Sequence, residues 1–313
     1  MTDCASAQSD FVCILNGAAG SNRAGEVSDH LADLFAKHRA QTRILLARDG
    51  GEIAALAHRA IEDRCTTVVV GGGDGTVSRV AAALIDTETT LGVLPLGTFN
   101  HFAKDLKIPL DLEAAVANIF AGWVASVDVG EVNGRPFVNN SSLGLYPAIV
   151  SQREERQRRG DGKWVGFAKA TLFALRRYSP LYVSLHSENR DEIAGKTPFV
   201  FVGNNRYDAA GLNIGGRTCL DAGRLWVYTA PHATRFALFR LALQALGGTQ
   251  DPSDLEIFDT EEFWIGSKNT RLSVAIDGEV MSLETPLRYR SRPRALSVIV
   301  PIEEAFKPAA EGG

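Results

Sequence analysis

Four times in the first 127 residues an apolar, β-rich run is followed within a few positions by a helix-patterned segment. The runs are FVCILN (11–16), TRILLA (42–47), TTVVVG (66–71) and TTLGVLPLG (89–97). Between them lie the patterns 27–39, 51–63 and GTVSRVAAALID, and after the last come FNHFAKDL and LEAAVANIFAG. A strand followed by a helix and then another strand closes easily only as a right-handed crossover between parallel neighbours. Short loops leave the helices to cover both faces of the sheet, and strands buried on both faces read as unbroken apolar runs. The rhythm therefore predicts an α/β domain over residues 1–127.

Beyond residue 125 the texture changes to short alternating runs: SVDVGEVNG, PFVNNSSLGL, LYVSLHSE, PFVFVGNN, GRLWVYTA, RLSVAIDGEV and LSVIVP. Asn133-Gly134, Gly215-Gly216 and Asp277-Gly278 punctuate them, as hairpin turns require. This predicts an antiparallel β-sandwich domain, interrupted by helices near 162–178 and 232–246. With 313 residues the chain has room for two such domains, and the cleft that two domains offer is a common ligand site. A net charge of −4 argues against a nucleic-acid partner. Cys4, Cys13, Cys65 and Cys219 form no C-x-x-C pair and no disulfide framework. The N-terminal residues lack a signal-peptide pattern and no apolar stretch reaches membrane-span length, so a cytoplasmic chain is expected. The histidines show no metal-ligand spacing, and Ser141-Ser142 lies outside a G-x-S-x-G elbow.

The chemistry is concentrated in TTVVVGGGDGTVSRV. A strand that enters bare glycines and then a helix start exposes backbone N–H groups and the positive end of the helix dipole, which suits phosphate. The loop has neither the Rossmann spacing nor the Walker Gly-Lys-Ser/Thr. Asp74 stands inside it, where a carboxylate would repel phosphate unless a cation such as Mg²⁺ lies between. Two other readings stay open: a proton acceptor for a hydroxyl nucleophile, or a helix N-cap. LNGAAGS (15–21) and LPLGTFNHF repeat the glycine turn at two further strand ends, where open α/β sheets bind ligands.

The set LNGAAG, GGGDGTVSRVAAAL, PLGTFNHFAKDL and AIDGEV resembles the diacylglycerol kinase catalytic domain family, which includes bacterial lipid kinases and sphingosine kinases. Through GGDGT it is distantly similar to NAD kinases. The resemblance covers nearly the whole chain. It implies a nucleotide-binding α/β domain at 1–127, completed by a C-terminal segment at 290–303, and a β-sandwich acceptor domain at 128–289. It implies ATP-dependent, Mg²⁺-assisted phosphorylation of a lipid hydroxyl. Asn16, Gly17, Ala18, Ala19 and Gly20, with Gly72, Gly73, Asp74, Gly75, Thr76, Val77 and Ser78, would cradle the nucleotide. Gly97, Thr98 and Asn100 would meet it from the next loop. Glu279 of Asp277-Gly278-Glu279 would be the general base, although read from the residues alone Asp-Gly is a hairpin dipeptide.

Three positions depart from the family. His101 stands where Asp usually follows Asn in the second loop. Ala222 occupies the position of an Asp found near a structural Mg²⁺, leaving Asp221 as the candidate carboxylate one residue away. The second strand ends in LLARDGG, without a Thr that some members use on the nucleotide. The departures keep two alternatives in view: a nucleotide- or lipid-binding protein without turnover, and a kinase of a soluble acceptor such as NAD. Residues 151–178 interleave arginines and lysines with Trp164, Phe167 and Phe173, a pattern that suits either an anionic membrane surface at the inner face or packing on the sandwich. The oligomeric state is not encoded in any of these features.

Overall fold

The computed structural model describes residues 11–17, 21–38, 42–144, 180–187, 190–207, 216–217, 219–230 and 256–302. The expected helices near 162–178 and 232–246, and the basic segment 151–178, lie outside the described residues. The chain divides into two compact units, Met1–Val127 with Arg294–Gly313, and Asp128–Pro293.

The first unit follows the strand-helix rhythm: β1 (Phe11–Asn16), α1 (Ser21–Lys37), β2 (Thr42–Ala47), α2 (Gly50–Glu62), β3 (Thr67–Gly72), α3 (Asp74–Leu84), β4 (Thr90–Pro95), α4 (His101–Asp105) and α5 (Leu112–Ala121). The strands lie parallel in the order β2-β1-β3-β4. All six residues of β3 are buried, which is why its sequence shows no alternation. The helices bury small or branched apolar faces on the sheet: Ile53, Ala57 and Ala60 from α2, Val80, Ala81 and Leu84 from α3. The LLARDGG turn has a local role. Asp49 caps α2 by accepting from the Gly51 and Glu52 N–H groups at 2.8 and 2.9 Å. Glu52 reaches back to the Arg48 N–H at 2.7 Å. The helix expected over 27–39 begins six residues earlier, at Ser21, and runs through the Gly25 that reads as a turn residue.

The second unit holds β6 (Arg135–Phe137), β7 (Asn140–Gly144), β8 (Leu181–Ser187), β9 (Arg190–Thr197), β10 (Phe199–Asn204), β11 (Leu225–Thr229), β12 (Glu256–Thr260), β13 (Glu262–Ser267), β14 (Arg271–Ile276) and β15 (Glu279–Glu284). Two strands cross the division between the units, β5 (Trp123–Val132) and β16 (Leu287–Val300). Within this unit one sheet runs β16-β13-β8-β9, with β5 beside β16 and β6 beside β5, and the other runs β12-β11-β10-β7-β14-β15. Their inner faces share one core that includes Leu185, Phe263 and Tyr289 from the first sheet and Leu143, Val202 and Val274 from the second. Tyr289 stacks on Phe263 at 4.8 Å, and its hydroxyl reaches the Ser141 hydroxyl of the facing sheet at 3.0 Å. This is the β-sandwich the alternating runs imply. Strands β9, β12 and β13 have no counterpart among those runs, and β16 is 14 residues long where only LSVIVP reads as strand. In β16 it is the C-terminal end, through Val298 opposite Leu91, that joins the parallel sheet of the first unit beside β4.

Candidate functional site

The three glycine turns follow β1, β3 and β4, which are neighbours in the parallel sheet, and leave it at the carboxyl ends of the strands. They are tied to one another. The Asn16 side-chain amide donates to the Thr76 hydroxyl at 3.1 Å, joining the first turn to the second. One oxygen of Asp74 accepts the Phe102 N–H at 3.3 Å, joining the second to the third. A Cβ placed on Gly97 would lie 2.4 Å from the Gly73 α-carbon, so the second and third turns meet backbone to backbone. That contact requires glycine at position 97.

The glycines are therefore not bare for one reason only. A Cβ on Gly71 would meet the Leu15 side chain at 2.3 Å, and one on Gly72 would meet Thr76 at 2.6 Å. Gly71 makes room for the core, Gly72 for the first turn of α3, and Gly73 with Gly97 for the joint between loops. Gly73 also opens α3 with no side chain to cap it; its carbonyl takes the Thr76 and Val77 N–H groups at 2.9 and 3.0 Å, and no side chain covers the start of the helix. Gly75, Val77 and Ser78 continue that turn, with Thr76 and Val77 buried.

Asn100 builds the third turn from within. It adopts a left-handed conformation at φ 52°, accepts the Gly97 N–H at 2.9 Å, and donates to the Pro95 and Gly97 carbonyls at 3.1 and 2.9 Å. Asn tolerates that conformation and can satisfy the backbone it disturbs. Thr98 is exposed at the tip. His101 stacks on Phe99 at 5.7 Å and 9°. Gly17 ends β1 against the Ala47 carbonyl, while Ala18, Ala19 and Gly20 lie outside the described residues.

Asp277-Gly278 forms the two-residue turn between β14 and β15, with φ of 46° and 90°, and Ile276 pairs with Glu279 across it. The Asp-Gly dipeptide is thus the hairpin turn that its residues imply. Asp277 is fully engaged by its surroundings: its carboxylate accepts the Val138, Asn139 and Asn140 N–H groups at 2.9, 2.9 and 3.1 Å. Three backbone donors on one carboxylate fix the β6–β7 connection to the turn, and Glu279, two residues on, stands exposed at the start of β15.

A second buried polar cluster carries no sequence motif. Asp128 is 1% exposed and accepts from the Asn205 side-chain amide at 3.0 Å and the Gly223 N–H at 2.6 Å. Asn205 in turn accepts the Ala222 N–H at 3.2 Å, and buried Arg217 donates to the Val138 and Asn204 carbonyls. The segment Leu220–Gly223 is thus anchored by its own amides. Asp221 accepts the Cys219 thiol at 3.0 Å. Burial and this bond raise the Cys219 thiol pKa. Among the described residues no group of three or more His, Cys, Asp or Glu side chains could hold a metal ion, so a structural Mg²⁺ at Asp221 would have one carboxylate and take its other ligands from backbone oxygens and water. Asp74 is a different case. A nucleotide-borne Mg²⁺ takes most of its ligands from phosphate and water, and a single carboxylate fits it.

Known proteins resemble this chain along most of its length. Residues 10–132 match the model of the diacylglycerol kinase catalytic domain, and residues 142–300 match the YegS C-terminal NAD kinase beta sandwich-like domain. A Pseudomonas syringae pv. syringae protein named "Probable lipid kinase YegS-like" is 30% identical over 93% of this chain and 93% of its own. A protein of Mycobacterium tuberculosis H37Rv named "Diacylglycerol kinase" is 27% identical over 88% of this chain and 93% of its own. A Bacillus anthracis Sterne crystal structure described as a diacylglycerol kinase has a TM-score of 0.67 at 20% identity, covering 94% of this chain and 97% of its own. Another from the same organism reaches 0.73 at 22% identity, covering 94% and 98%. At these identities the structures speak for the fold, and the sequence matches speak for kinship. The chain belongs to the diacylglycerol kinase catalytic domain family, with the YegS-type sandwich as its second domain.

Proposed function

We propose that this protein transfers the terminal phosphoryl group of ATP to a hydroxyl of a diacylglycerol-like lipid, with Mg²⁺ as co-reactant. The observation that carries the reading is the interlocking of the three turns: Asn16 to Thr76, Gly73 to Gly97, and Asp74 to Phe102. Rigid amides at the carboxyl edge of a parallel sheet suit a polyphosphate. Asn16–Gly20, Gly72–Ser78, Gly97, Thr98 and Asn100 hold the nucleotide. When bound, Mg²⁺ neutralises phosphate charge and orients the transferring group. Asp74 ties the two loops together through the Phe102 N–H, and its carboxylate would hold the phosphate-bound Mg²⁺. Glu279 takes the proton of the acceptor hydroxyl.

The reading is tested with labelled ATP, Mg²⁺ and a lipid extract, with NAD as a parallel acceptor. Labelled lipid formed by the wild type and lost in Glu279→Gln and Asp74→Ala supports it. Label in NAD alone makes it a soluble-acceptor kinase. Thermal stabilisation by ATP with no labelled product assigns a binding protein without turnover, the outcome that His101 and Ala222 motivate.

A further inference from the structure

In the second unit, the sheet formed by β16, β13, β8 and β9 buries one face and leaves the other open. Along β13, Phe263 and Ile265 enter the core while Trp264 is 39% exposed; along β8, Val183 and Leu185 enter it while Tyr182 is 47% exposed. The open face is ordered across strands. Trp264 lies opposite Arg288 on one side and His186 on the other, and stacks on the imidazole at 5.6 Å and 13°. Tyr182 lies opposite Lys196, and the Lys268 ammonium sits 5.3 Å from its ring centroid.

Among the described residues, cations outnumber carboxylates on this face. Glu131 is sunk beneath it, with a side chain 9% exposed, and is gripped by Arg290 at 2.8 and 3.1 Å and reached by Arg292 at 3.3 Å. Among the described residues, the carboxylates left at the surface of this face are Glu262, opposite Arg290, and Glu192, 3.5 Å from His186. Indole and phenol rings carry an apolar body with a polar edge and favour headgroup depth in a bilayer. Lysine and arginine beside them are drawn to anionic leaflets. A second copy of the same face would bring Arg288, Arg290 and Lys196 against their own kind, so the charge pattern favours an anionic partner over self-association. The chain carries a net charge of −4, which makes a cationic face a local feature and not an average one.

We propose that this sheet face docks the protein on an anionic membrane, with Trp264 and Tyr182 at headgroup depth and Arg288, Arg290, Lys196 and Lys268 on the lipid phosphates. The inference rests on the lipid-kinase reading for its purpose, and it is tested without nucleotide. The full chain is sedimented with vesicles of phosphatidylcholine alone or with phosphatidylglycerol added. Wild type partitions onto the anionic vesicles only and is released by salt. The pair Arg288→Glu with Lys196→Glu lowers the partition coefficient about thirtyfold. Trp264→Ala also weakens binding, Trp264→Phe restores most of it, and the wild-type tryptophan emission shifts to the blue on binding. Unchanged melting temperatures show that the exposed substitutions leave the fold intact. Binding by the charge-reversed pair equal to wild type overturns the proposal. So does equal binding to zwitterionic vesicles, or a Trp264-dependent dimer in light scattering with vesicle binding unaltered. Turnover of lipid in detergent micelles is followed in parallel. A chain that phosphorylates lipid in micelles yet ignores vesicles loses the docking face and keeps the kinase reading, and the reverse result removes the kinase reading alone.

Discussion

A methyl group on Gly97 has nowhere to go, because the Gly73 α-carbon that it meets is backbone and not a side chain that can swing aside. Gly97→Ala is therefore expected to pry two loops apart by a fraction of an ångström and to lower kcat/KM for ATP roughly a hundredfold. The same displacement should lower the melting temperature by about 2–6 °C. Asp277 and Glu279 separate in the same way. Asp277→Ala strands three backbone donors and should cost about 3 kcal/mol in urea denaturation. Glu279→Gln should remove turnover and leave the denaturation midpoint unchanged. The motif residues were visible in the sequence because glycine and aspartate at fixed spacing have few other uses. Their partners were not. Nothing around Val138 announces that its amide belongs to Asp277, and nothing around Asp128 announces the donors of Asn205 and Gly223. Those bonds join positions far apart in the chain, and only the closed sandwich brings them together.

Helices and strands show the same division between local and distant causes. β3 and α3 were legible because an apolar run and a 3.6-residue pattern are local signals. The first turn of α1 was not, since Ser, Asn and Gly in SNRAG read as a loop. Gly25 sits inside that helix, and a Cβ there meets nothing within 4 Å. Gly25→Ala should accordingly stabilise the protein by about 0.5–1 kcal/mol in chemical denaturation, without effect on turnover. β16 was half hidden for another reason. Arg288, Arg290, Arg292 and Pro293 interrupt the apolar signal, and proline inside a strand ordinarily argues for an edge or an end. β9 was hidden because RDEIAGKT carries little apolar content of its own and borrows its place from β8.

For the molecule as a whole, alkaline pH probes the packing of both units. Burial raises the Cys13 thiol from 9.0 to about 12. The unfolded chain therefore begins to release this proton near pH 9, while the folded chain holds it to about pH 12. Stability is fully present below pH 9 and falls as pH rises through that window, by up to about 1.4 kcal/mol per pH unit. The buried Tyr289 hydroxyl, also raised by burial, adds a loss of the same sign above its ordinary value of 10.0. Urea midpoints measured from pH 7 upward should stay level and then decline, and Cys13→Ala should make the decline shallower. The division of the chain also orders events in time. The first unit takes its last neighbour for β4 from Val298, which the ribosome makes only after all of Asp128–Pro293. Until then the β4 edge is open, and open parallel edges attract foreign strands. The three glycine turns thus belong to a sheet that is finished last although it is begun first, and a chain stopped at Pro293 would emerge with its β4 edge exposed to aggregation.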